Sequence, residues 1–600
     1  MPDTVRNFWP FPSYRRLQRK SLAAIAQAFA DGKDFVVVEA PTGAGKSPLA
    51  VAVARWMIEN SKYADSGERA MSIERGGKVQ QGAYILTTQK LLQQQYLNDF
   101  GAHEKWPLVE MRGRSNFRCK FDENPKATCE NGVCHSWAET GRAVMLQDGE
   151  DPPTGIEERR SGSGRRYYMQ DFQISAHCCY RREKARVLQC PLVIHNFSYF
   201  LHETNYAGEF APRSLLVVDE AHSVESGLMS FVEVAINESA LNRMNIEMPA
   251  DFSKDMPIDE FYAWARGELE KHIRPKLREL GGRMSALKKR LRNNPFDQGA
   301  IEERSKLRPE FEAAESMVSK LEMLLNELDP SNCVLDMEVK RVRQRGRLAP
   351  SRRFVFKPID IAPFAERFFF SRGKKVLMMS ATILDPDTFA DSLGIDKSRM
   401  KFIRIPSTFP AENRKIVFRP CGSMARRSIE DTLPKMVDAV RGILETHRGE
   451  RGMIHVHSYR ISDYIIKHVN DPRILFHGSQ DRERVLAEFL ADPSDDSVMV
   501  SPSMTDGLSL DDDLARFQII CKMPFPYLGD PQVFAKKNMS VAWYDLETAK
   551  RLVQAFGRAV RSCDDHAVTY VLDEDFDRFF SRTKARMFPR YIQDAVIYEA

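Results

Sequence analysis

The sequence lacks the long apolar runs of a membrane protein and the leader of a secreted one. No stretch approaches the ~18 consecutive apolar residues that a membrane-spanning helix requires. The N-terminal MPDTVRNFWPFPSYRRLQRK contains no apolar core of a signal peptide. Hydrophobic residues make up 43% of the 600 residues and charged residues 28%, which is typical of globular chains. We therefore expect a cytoplasmic protein, nucleoid-associated in a prokaryotic or phage setting, with no membrane partner.

The chain also lacks a strong excess of charge of either sign. It has 88 Lys and Arg residues against 83 Asp and Glu residues, a formal net charge of +5. This surplus is too small to indicate a polyanionic partner, so local clusters of charge must do so. A length of 600 residues exceeds the roughly 250–300 residues that a single core supports. We therefore expect several domains.

Cysteine is sparse and unevenly placed, and disulfides are not expected in a cytoplasmic protein. Six of the ten cysteines fall between residues 119 and 190. Clustered thiols in a reducing compartment indicate either metal ligands or small core residues. The cysteines of this segment are Cys119, Cys129, Cys134, Cys178, Cys179 and Cys190.

The stretch DFVVVEAPTGAGKSPLAVAVARWM, residues 34–57, predicts a buried strand, a tight turn and a helix. Its turn matches the Walker A pattern, in which backbone N–H groups and a helix N-terminus bind phosphate. Lys46 would reach the β- and γ-phosphates of ATP, and the Ser47 hydroxyl would bind magnesium. The alternative is an ordinary glycine turn after a strand. The predicted phosphate-binding residues are Thr42, Gly43, Ala44, Gly45, Lys46 and Ser47.

A second apolar strand ends in the tetrapeptide DEAH. Ligands bind beyond the carboxyl ends of strands in open α/β sheets, which is where Asp219 and Glu220 would lie. Asp219 would hold magnesium, directly or through water, and Glu220 would position and polarise the attacking water. An exposed acidic turn is the alternative for this tetrapeptide taken alone.

Two further motifs fit a nucleotide site. The segment SYRRLQ places Arg15 and Gln18 ahead of the Walker strand, and Gln18 could hydrogen-bond adenine. Near the C-terminus, LVQAFGRAVRS has the order QxxGRxxR, which contributes Gln554, Arg558 and Arg561. Two guanidinium groups spaced three residues apart on a helix could stabilise charge on a transferring γ-phosphate. A basic helix face without catalytic function is the alternative.

Taken in order, these motifs resemble the XPD/DinG family of superfamily-two iron–sulfur DNA helicases. The resemblance extends over nearly the whole chain and includes GRSNFRC, CCYRREKA, HNFSYFL, SATILD, PFPYLGDP and QAFGRAVR. It implies an α/β fold with two RecA-like parallel-sheet lobes, an inserted iron–sulfur module and an inserted helical Arch domain. It also implies ATP, Mg²⁺ and a 4Fe–4S cluster as cofactors, and movement on DNA with 5′→3′ polarity.

The spacing of the motifs agrees with two insertions. Lys46 precedes Asp219 by 173 residues and Asp219 precedes Ser380 by 161, whereas connections in α/β domains usually have ~2–6 residues. The predicted boundaries are 1–110, 191–227 and 349–395 for the first lobe, 111–190 for the iron–sulfur module, 228–348 for the Arch domain and 396–600 for the second lobe.

The second insertion contains two apolar stripes with helical spacing, joined by an NNP turn at 293–295. Such stripes predict an antiparallel helical hairpin. Its basic residues could border a nucleic-acid channel or form a solvated helix face. The stripes are Ile273, Leu277, Leu280, Met284, Leu287 and Leu291, followed by Leu307, Phe311, Ala314, Val318, Leu321, Leu325 and Leu328.

The resemblance assigns the cluster ligands as Cys119, Cys129, Cys134 and Cys178. Cys179 stands where the family usually has proline, so it is an alternative to Cys178 as the fourth ligand. Cys190 precedes an apolar strand and is interpreted as a core residue. A zinc ion could also bind four cysteines, and a remnant site without metal is the third interpretation.

The function implied is ATP-driven translocation on single-stranded DNA by a monomer, with unwinding of duplex or forked DNA. Accessory nucleic-acid-processing proteins are further candidate partners. Thr87, Thr88, Ser458 and Tyr459 follow strands and are candidate contacts to the DNA backbone. Two other classes stay open: an ATP-dependent DNA-binding switch or loading factor that does not unwind, and a metal-dependent nuclease that uses the cysteines and carboxylates.

Overall fold

The structure is a computed structural model of the chain and divides into two compact units. The first unit comprises residues 1–108, 211–225 and 362–600, and the second comprises 109–210 and 226–361. The structure describes residues 2–130, 132–133, 137, 139–147, 150–154, 156–161, 164–171, 177–344, 347–478, 481–491, 495–502, 514–558, 560 and 564–599.

Twenty strands form within these described ranges. Strands of the two lobes are short and rich in Val, Ile, Leu and Met, as expected where both faces of a sheet are covered. The strands are β1 Phe35–Glu39, β2 Gln80–Thr87, β3 Val109–Met111, β4 Arg142–Met145, β5 Glu158–Arg160, β6 Arg166–Gln170, β7 Leu192–Asn196, β8 Arg213–Asp219, β9 Val234–Asn237, β10 Cys333–Gln344, β11 Arg347–Pro358, β12 Gly373–Ser380, β13 Met400–Arg404, β14 Ile416–Gly422, β15 Gly452–His455, β16 Ile474–Phe476, β17 Val498–Ser501, β18 Phe517–Ile520, β19 Val568–Asp573 and β20 Val596–Tyr598.

Helices connect most of these strands. In the part of the chain that the structure describes, no helix combines the length and the apolar character needed to cross a membrane. The α-helices are Gln18–Ala30, Lys46–Glu59, Glu68–Arg75, Lys90–Phe100, Cys179–Gln189, Phe197–His202, Val224–Val232, Glu238–Arg243, Ile258–Glu268, Arg274–Asn293, Gln298–Asn326, Ala362–Phe368, Pro386–Ser392, Ile429–Thr446, Tyr459–His468, Arg482–Ala491, Pro531–Met539, Val541–Phe556, Asp575–Met587 and Arg590–Gln593.

The first unit contains two parallel sheets, which we call lobe 1 and lobe 2. In lobe 1, five strands lie side by side in the order β13-β1-β12-β8-β2, and every pairing between them is parallel. Strands β1, β8 and β12 are buried along their whole length. The carboxyl ends of parallel strands meet at one sheet edge, so the segments that follow these strands share that edge.

Lobe 2 is a sheet of seven strands in the order β16-β17-β15-β18-β19-β14-β20. All of its pairings are parallel. The helices Ile429–Thr446 and Val541–Phe556 bury apolar faces against its core. The predicted α/β class with two parallel-sheet lobes is confirmed.

The second unit contains both insertions. Strands β3 and β7 pair in parallel, and β4, β6 and β5 form a small antiparallel sheet within the cysteine-rich segment. Strands β10 and β11 form an antiparallel hairpin whose base pairs with β9. The boundary predicted at residue 348 therefore falls inside strand β11, because the ladder with β10 keeps residues 349–358 with the insertion.

The predicted helical hairpin corresponds to the helices Arg274–Asn293 and Gln298–Asn326. Leu280, Leu287 and Leu291 of the first helix are buried against the second. Two positions of the second stripe differ by one residue from the prediction. Met317 and Leu324 are buried, whereas Val318 and Leu325 are only half-buried. Leu307, Ala314 and Leu321 are buried as expected.

Candidate nucleotide-binding and cysteine sites

The loop after β1 has the geometry of a phosphate cradle. Gly43 and Gly45 both adopt φ 80°, a conformation open to glycine at no steric cost. Gly45 is the N-cap of the helix Lys46–Glu59, so Lys46 and Ser47 occupy its first turn. An added Cβ at Gly45 would meet the side-chain amide of Gln18, which would have to move. The N-terminal N–H groups of this helix can bind an anion.

Arg15 and Gln18 form hydrogen bonds with the backbone of this loop. The Arg15 guanidinium donates to the carbonyl oxygen of Gly43 at 2.8 Å. The Gln18 amide donates to the carbonyl oxygen of Ala44 at 3.1 Å and accepts from the Arg15 backbone N–H at 2.7 Å. The sequence suggested an adenine contact for Gln18. In the structure both ends of its amide bind the protein, so Gln18 fixes the shape of the loop.

Asp219 ends β8 and is almost completely buried. The hydroxyl of Tyr96, on the helix Lys90–Phe100, donates to its Oδ2 at 2.8 Å. Burial raises the pKa of Asp219 to about 6, and the neighbouring Glu220 charge adds to this rise, whereas Lys46 and the Tyr96 hydrogen bond oppose it. A buried carboxylate held beside Lys46 and Ser47 has the chemistry of a magnesium ligand. The sequence motifs did not identify Tyr96.

Glu220 has a backbone conformation that is uncommon outside glycine, with φ 58°. Such left-handed residues cost of order 1–3 kcal/mol and cluster at functional sites. This turn leads out of β8, and the Glu220 side chain is half-buried. Its Oε2 lies 3.2 Å from Nδ1 of His222. The carboxylate is therefore oriented by a neighbour of its own motif.

A cavity of about 560 Å³ joins the loop to the end of β8. Phe11 and Phe100 both line this cavity, and their ring centroids lie 5.7 Å apart. This aromatic pair, which the sequence motifs did not single out, could stack on a base. The lining residues are Phe11, Pro12, Ser13, Arg15, Gln18, Thr42, Gly43, Gly45, Lys46, Ser47, Pro48, Leu92, Gln95, Asp99, Phe100, Asp219 and Glu220.

His222 connects the end of β8 to two other motifs. Its Nδ1 lies 2.8 Å from the hydroxyl of Ser380, at the end of β12. Its Nε2 lies 2.8 Å from the amide nitrogen of Gln554, on lobe 2. The Gln554 amide also contacts Thr382 Oγ1 at 3.5 Å. The imidazole therefore forms a polar bridge between the nucleotide edge of lobe 1 and lobe 2.

The arginine motif of lobe 2 approaches the same edge. An added Cβ on Gly557 would lie 3.8 Å from the Thr42 hydroxyl, so the end of the helix Val541–Phe556 faces the phosphate loop. Arg558 is buried, and its charge helps to lower the pKa of His455. Gln554 therefore reaches the site through His222, whereas Arg558 is buried near His455 and is not among the residues that line the cavity. Arg561 lies outside the described residues.

Other contacts also join the lobes. Lys536 and Trp543 of lobe 2 both bind the Glu225 carboxylate, with the indole Nε1 donating at 3.1 Å.

Of the candidate DNA contacts, Thr87 is fully buried, because it still belongs to strand β2. Thr88, Ser458 and Tyr459 reach the surface.

The cysteine-rich segment brings three of the four predicted ligands into buried positions. Cys119 and Cys129 lie on adjacent chain segments, joined by backbone hydrogen bonds from Cys119 to Ala127 at 2.9 Å and from Cys129 to Phe117 at 2.7 Å. The Cys129 and Cys178 sulfurs lie 3.0 Å apart. All three cysteines are reduced and at most 6% exposed. Cys134 lies outside the described residues.

The donor chemistry fits a thiolate-bound metal only in part. Two thiolates on one tetrahedral zinc ion, each ~2.3 Å from the metal, would lie about 3.8 Å apart, so the sulfurs of Cys129 and Cys178 would have to separate. In the described portion of the chain, no three His, Cys, Asp or Glu side chains converge in a metal-binding geometry. The buried thiol pair is nevertheless built from segments 49 residues apart.

The other two cysteines of the segment differ from this pair. Cys179 begins the helix Cys179–Gln189 and is half-exposed. The interpretation of Cys190 as a core residue was wrong: it is the half-exposed C-cap of this helix, and its thiol contacts the Arg186 carbonyl at 3.3 Å. The buried part of the following strand begins only at Leu192.

Comparison with known proteins identifies the lobes. Residues 442–595 match the family described as helicase C-terminal domain, and these residues lie in lobe 2. The solved structure of Xpd4 from S. tokodaii is similar over 98% of this chain and 100% of its own, with 13% identity and a TM-score of 0.52. The chain has the fold of the XPD helicases, and residues 442–595 are similar to helicase C-terminal domains. No curated protein matches it.

Two further structures support this XPD-like fold. One, an XPD helicase, has 12% identity and a TM-score of 0.56, covering 98% of this chain and 100% of its own. Another, described as XPD apo, has 11% identity and a TM-score of 0.54, covering 97% and 100%. The predicted resemblance to the XPD/DinG helicases is therefore confirmed in fold.

Proposed function

We propose that the protein is an ATP-dependent DNA helicase that moves 5′→3′ on single-stranded DNA and unwinds duplex or forked DNA. The observation that carries this proposal is the His222 bridge, which ties the Asp219–Glu220 segment to Ser380 of lobe 1 and to Gln554 of lobe 2. A change at the γ-phosphate can thereby alter the contact between the lobes. The polarity and the choice of DNA rest on the family resemblance.

The residues of the cavity can have distinct functions in ATP hydrolysis. Lys46 and the loop N–H groups would hold the phosphates, and Glu220 would orient and polarise the attacking water. Magnesium, held by Ser47 and Asp219, would neutralise charge on the β- and γ-phosphates. Arg558, with Arg561 as a second candidate, would stabilise the charge of the transition state.

Closure and opening of the cleft between the lobes would then drive movement along the strand. Backbone contacts, for which Thr88, Ser458 and Tyr459 are candidates, would grip DNA without reading its sequence. We expect a monomer in the cytoplasm.

We further propose that Cys119, Cys129, Cys134 and Cys178 hold a 4Fe–4S cluster with a structural function. The buried sulfur pair of Cys129 and Cys178 supports a thiolate site, and four cysteines are the usual ligands of such a cluster. Anaerobic purification followed by iron and zinc quantification tests this assignment. About four iron atoms per chain would support it, whereas stoichiometric zinc without iron would replace it with a zinc site.

Strand displacement from a forked substrate tests the helicase function. We expect ATP-dependent displacement by the intact protein and none by Lys46→Ala or Glu220→Gln. Lys62→Ala, a change at a lysine outside the cavity, is the control and should leave activity unchanged. DNA-stimulated ATP hydrolysis without displacement would instead support the switch or loading factor. DNA cleavage that survives Lys46→Ala would support the nuclease.

A further inference from the structure

The hairpin of β10 and β11 extends far beyond the sheet that supports it. Each strand has 12 residues, about twice the usual strand length. Strand β9 pairs only with Arg353–Phe356 of β11. Beyond the Glu338–Arg353 pair the hairpin continues for six more pairs, from Val339–Arg352 to Gln344–Arg347. Arg352 still binds Glu238, and Ser351 accepts a hydrogen bond from the Ser239 N–H at 3.1 Å. The four pairs beyond them extend about 14 Å at about 3.4 Å per residue. We call residues 339–352 the arm.

The supported base of the hairpin has balanced charge. Lys357 binds Asp336 at 2.9 Å across the two strands, and Arg353 binds Glu338 at 2.9 Å. Arg353 lies directly opposite Glu338 in the ladder, and Lys357 lies two positions from Val355, the residue opposite Asp336. Charges at the base are thus neutralised within the hairpin.

The arm has strongly unbalanced charge. Residues 339–351, VKRVRQRGRLAPS, contain five basic residues and no acidic one. Nζ of Lys340 lies 2.9 Å from a carboxylate oxygen of Glu338, which also binds Arg353. Arg341 is exposed, and no described carboxylate lies within ion-pair distance of it. The basic positions are Lys340, Arg341, Arg343, Arg345 and Arg347.

The basic helix Arg274–Asn293 is different in this respect. Lys276 binds Glu279 at 3.1 Å, and Arg290 binds Asp297 at 3.0 Å. Exposed ion pairs of this kind contribute little stability, yet they reduce the potential that a polyanion meets. The helix is also basic overall, but several of its arginines and lysines have carboxylates within reach, whereas the segment 339–351 contains no acidic residue of its own.

Apolar side chains also reach solvent on the arm. The face that buries Leu335 and Phe354 at the base continues to Val339 and Leu348, which are 61% and 68% exposed. Two-stranded hairpins without a covered face are marginally stable in water. A surface that combines exposed aliphatic groups with a net positive charge gains stability by contacting an anionic partner.

We propose that the arm binds duplex DNA ahead of the fork by entering the major groove as a two-stranded β-ribbon. The major groove, about 12 Å wide, admits such a ribbon. The basic residues of the arm would contact phosphates, and Val339 and Leu348 would contact the groove floor. This proposal rests on the proposed helicase function and adds that the second insertion binds the duplex.

The decisive experiment measures the affinity of the nucleotide-free protein for a short blunt duplex and for oligo-dT of equal length, over a range of salt concentrations. The variant Arg341→Gln/Arg343→Gln/Arg347→Gln removes three charges from the arm. Arg448→Gln/Arg578→Gln/Arg590→Gln, a matched change at exposed arginines of lobe 2, is the control.

We expect the arm variant to bind duplex about tenfold more weakly and to lose up to about 3 from the slope of log affinity against log salt. Binding to oligo-dT and ATP hydrolysis stimulated by it should match the intact protein. A second variant, with residues 341–350 replaced by Asn-Gly, preserves the Lys340–Ser351 pair and the type of turn that hairpins favour. It should show the same selective loss.

Three outcomes would overturn the proposal. Unchanged duplex affinity in both arm variants would show that the arm does not bind DNA. Equal losses for duplex and oligo-dT would show a general electrostatic effect. Aggregation of the arm variant with unchanged DNA affinity would assign the charges to protection of an exposed sheet edge. If intact protein binds duplex through the arm but displaces no strand, the arm proposal stands and the helicase proposal fails.

Discussion

The imidazole of His222 stands between Ser380 and Gln554, with Nδ1 2.8 Å from the Ser380 hydroxyl and Nε2 2.8 Å from the Gln554 amide nitrogen. An amide nitrogen can only donate, so Nε2 accepts and Nδ1 carries the proton. That proton can be shared with Ser380 or with Glu220, whose Oε2 lies 3.2 Å away. One ring thus contacts both Gln554 of lobe 2 and Glu220, the carboxylate proposed to orient the attacking water.

This bridge predicts that coupling can be lost while hydrolysis persists. We expect His222→Ala and Gln554→Ala each to lower the rate of strand displacement about tenfold, with a smaller effect on ATP hydrolysis. The double variant should be no worse than either single one, because groups in one network couple by 0.5–3 kcal/mol. His272→Ala, an exposed residue paired only with Glu268 in the described structure, is the control. Additive effects in the double variant would contradict the bridge.

The hydrogen bond from Tyr96 to Asp219 predicts a specific defect in Tyr96→Phe. Removal of the hydroxyl leaves a buried carboxylate oxygen without this donor, so we expect a loss of about 1–3 kcal/mol in the free energy of unfolding. The magnesium concentration required for half-maximal ATP hydrolysis should also rise. Urea denaturation and a magnesium titration measure the two effects.

Tyr84→Phe provides the matched control for this change. Tyr84 is equally buried and its hydroxyl donates to the Ala211 carbonyl at 2.8 Å, but it does not border the cavity. It should lower stability by a similar amount and leave the magnesium requirement unchanged. A shift in the magnesium requirement of both variants would assign the effect to general destabilisation.

The cysteine geometry predicts which thiols a metal requires. Cys119→Ser, Cys129→Ser and Cys178→Ser should each lower the metal content of purified protein and its stability against heat. Cys190→Ser should change neither, because Cys190 is a half-exposed helix cap. Metal analysis of each variant measures this. If Cys179→Ser loses the metal and Cys178→Ser retains it, the fourth ligand is Cys179.

Buried His455 predicts a loss of stability in mild acid. Burial and the nearby Arg558 charge lower its pKa to about 3, despite a hydrogen bond with Gln518. The fold therefore favours the neutral ring, and this contribution is complete above the unfolded pKa of ~6.5 and lost as pH falls towards 3. At about pH 5 the loss amounts to about 2 kcal/mol.

His455→Gln tests the assignment because it retains a polar group without the titration. Its stability should fall less between about pH 7.5 and about pH 5 than that of the intact protein, as measured by urea denaturation. The neighbouring His457, whose pKa burial lowers to about 4, still titrates in this variant and accounts for a remaining slope. An equal acid loss in both proteins would show that His455 does not contribute.

Local chemistry made the strands and the phosphate loop predictable. The strands before Gly43 and Asp219 are continuous apolar runs, because both faces of a parallel sheet are buried. Glycines at φ 80° and a lysine opening a helix are requirements of the loop itself. These features depend on neighbours in the chain, so the sequence pattern suffices to recognise them.

Positions that depend on distant packing were less predictable. In the second stripe of the helical hairpin, Met317 and Leu324 are buried in place of Val318 and Leu325. Which of two adjacent apolar residues is buried depends on the orientation of the two packed helices. Cys190 precedes a buried strand but caps a helix instead. The long hairpin of β10 and β11 was not predicted, and the boundary predicted at residue 348 divides it between two domains, although the alternating apolar and polar residues from Cys333 were a usable signal.

The sequence by itself determined the two lobes, the order of the motifs and the residue types that can bind phosphate and metal, since these follow from local periodicity and from motif chemistry. Only the tertiary structure decided that Gln18 braces the phosphate loop, that Tyr96 binds Asp219 and that His222 joins Ser380 to Gln554. Such contacts link residues 26 to 332 positions apart. Their geometry arises from the packing of whole sheets against one another, which no short stretch of sequence specifies.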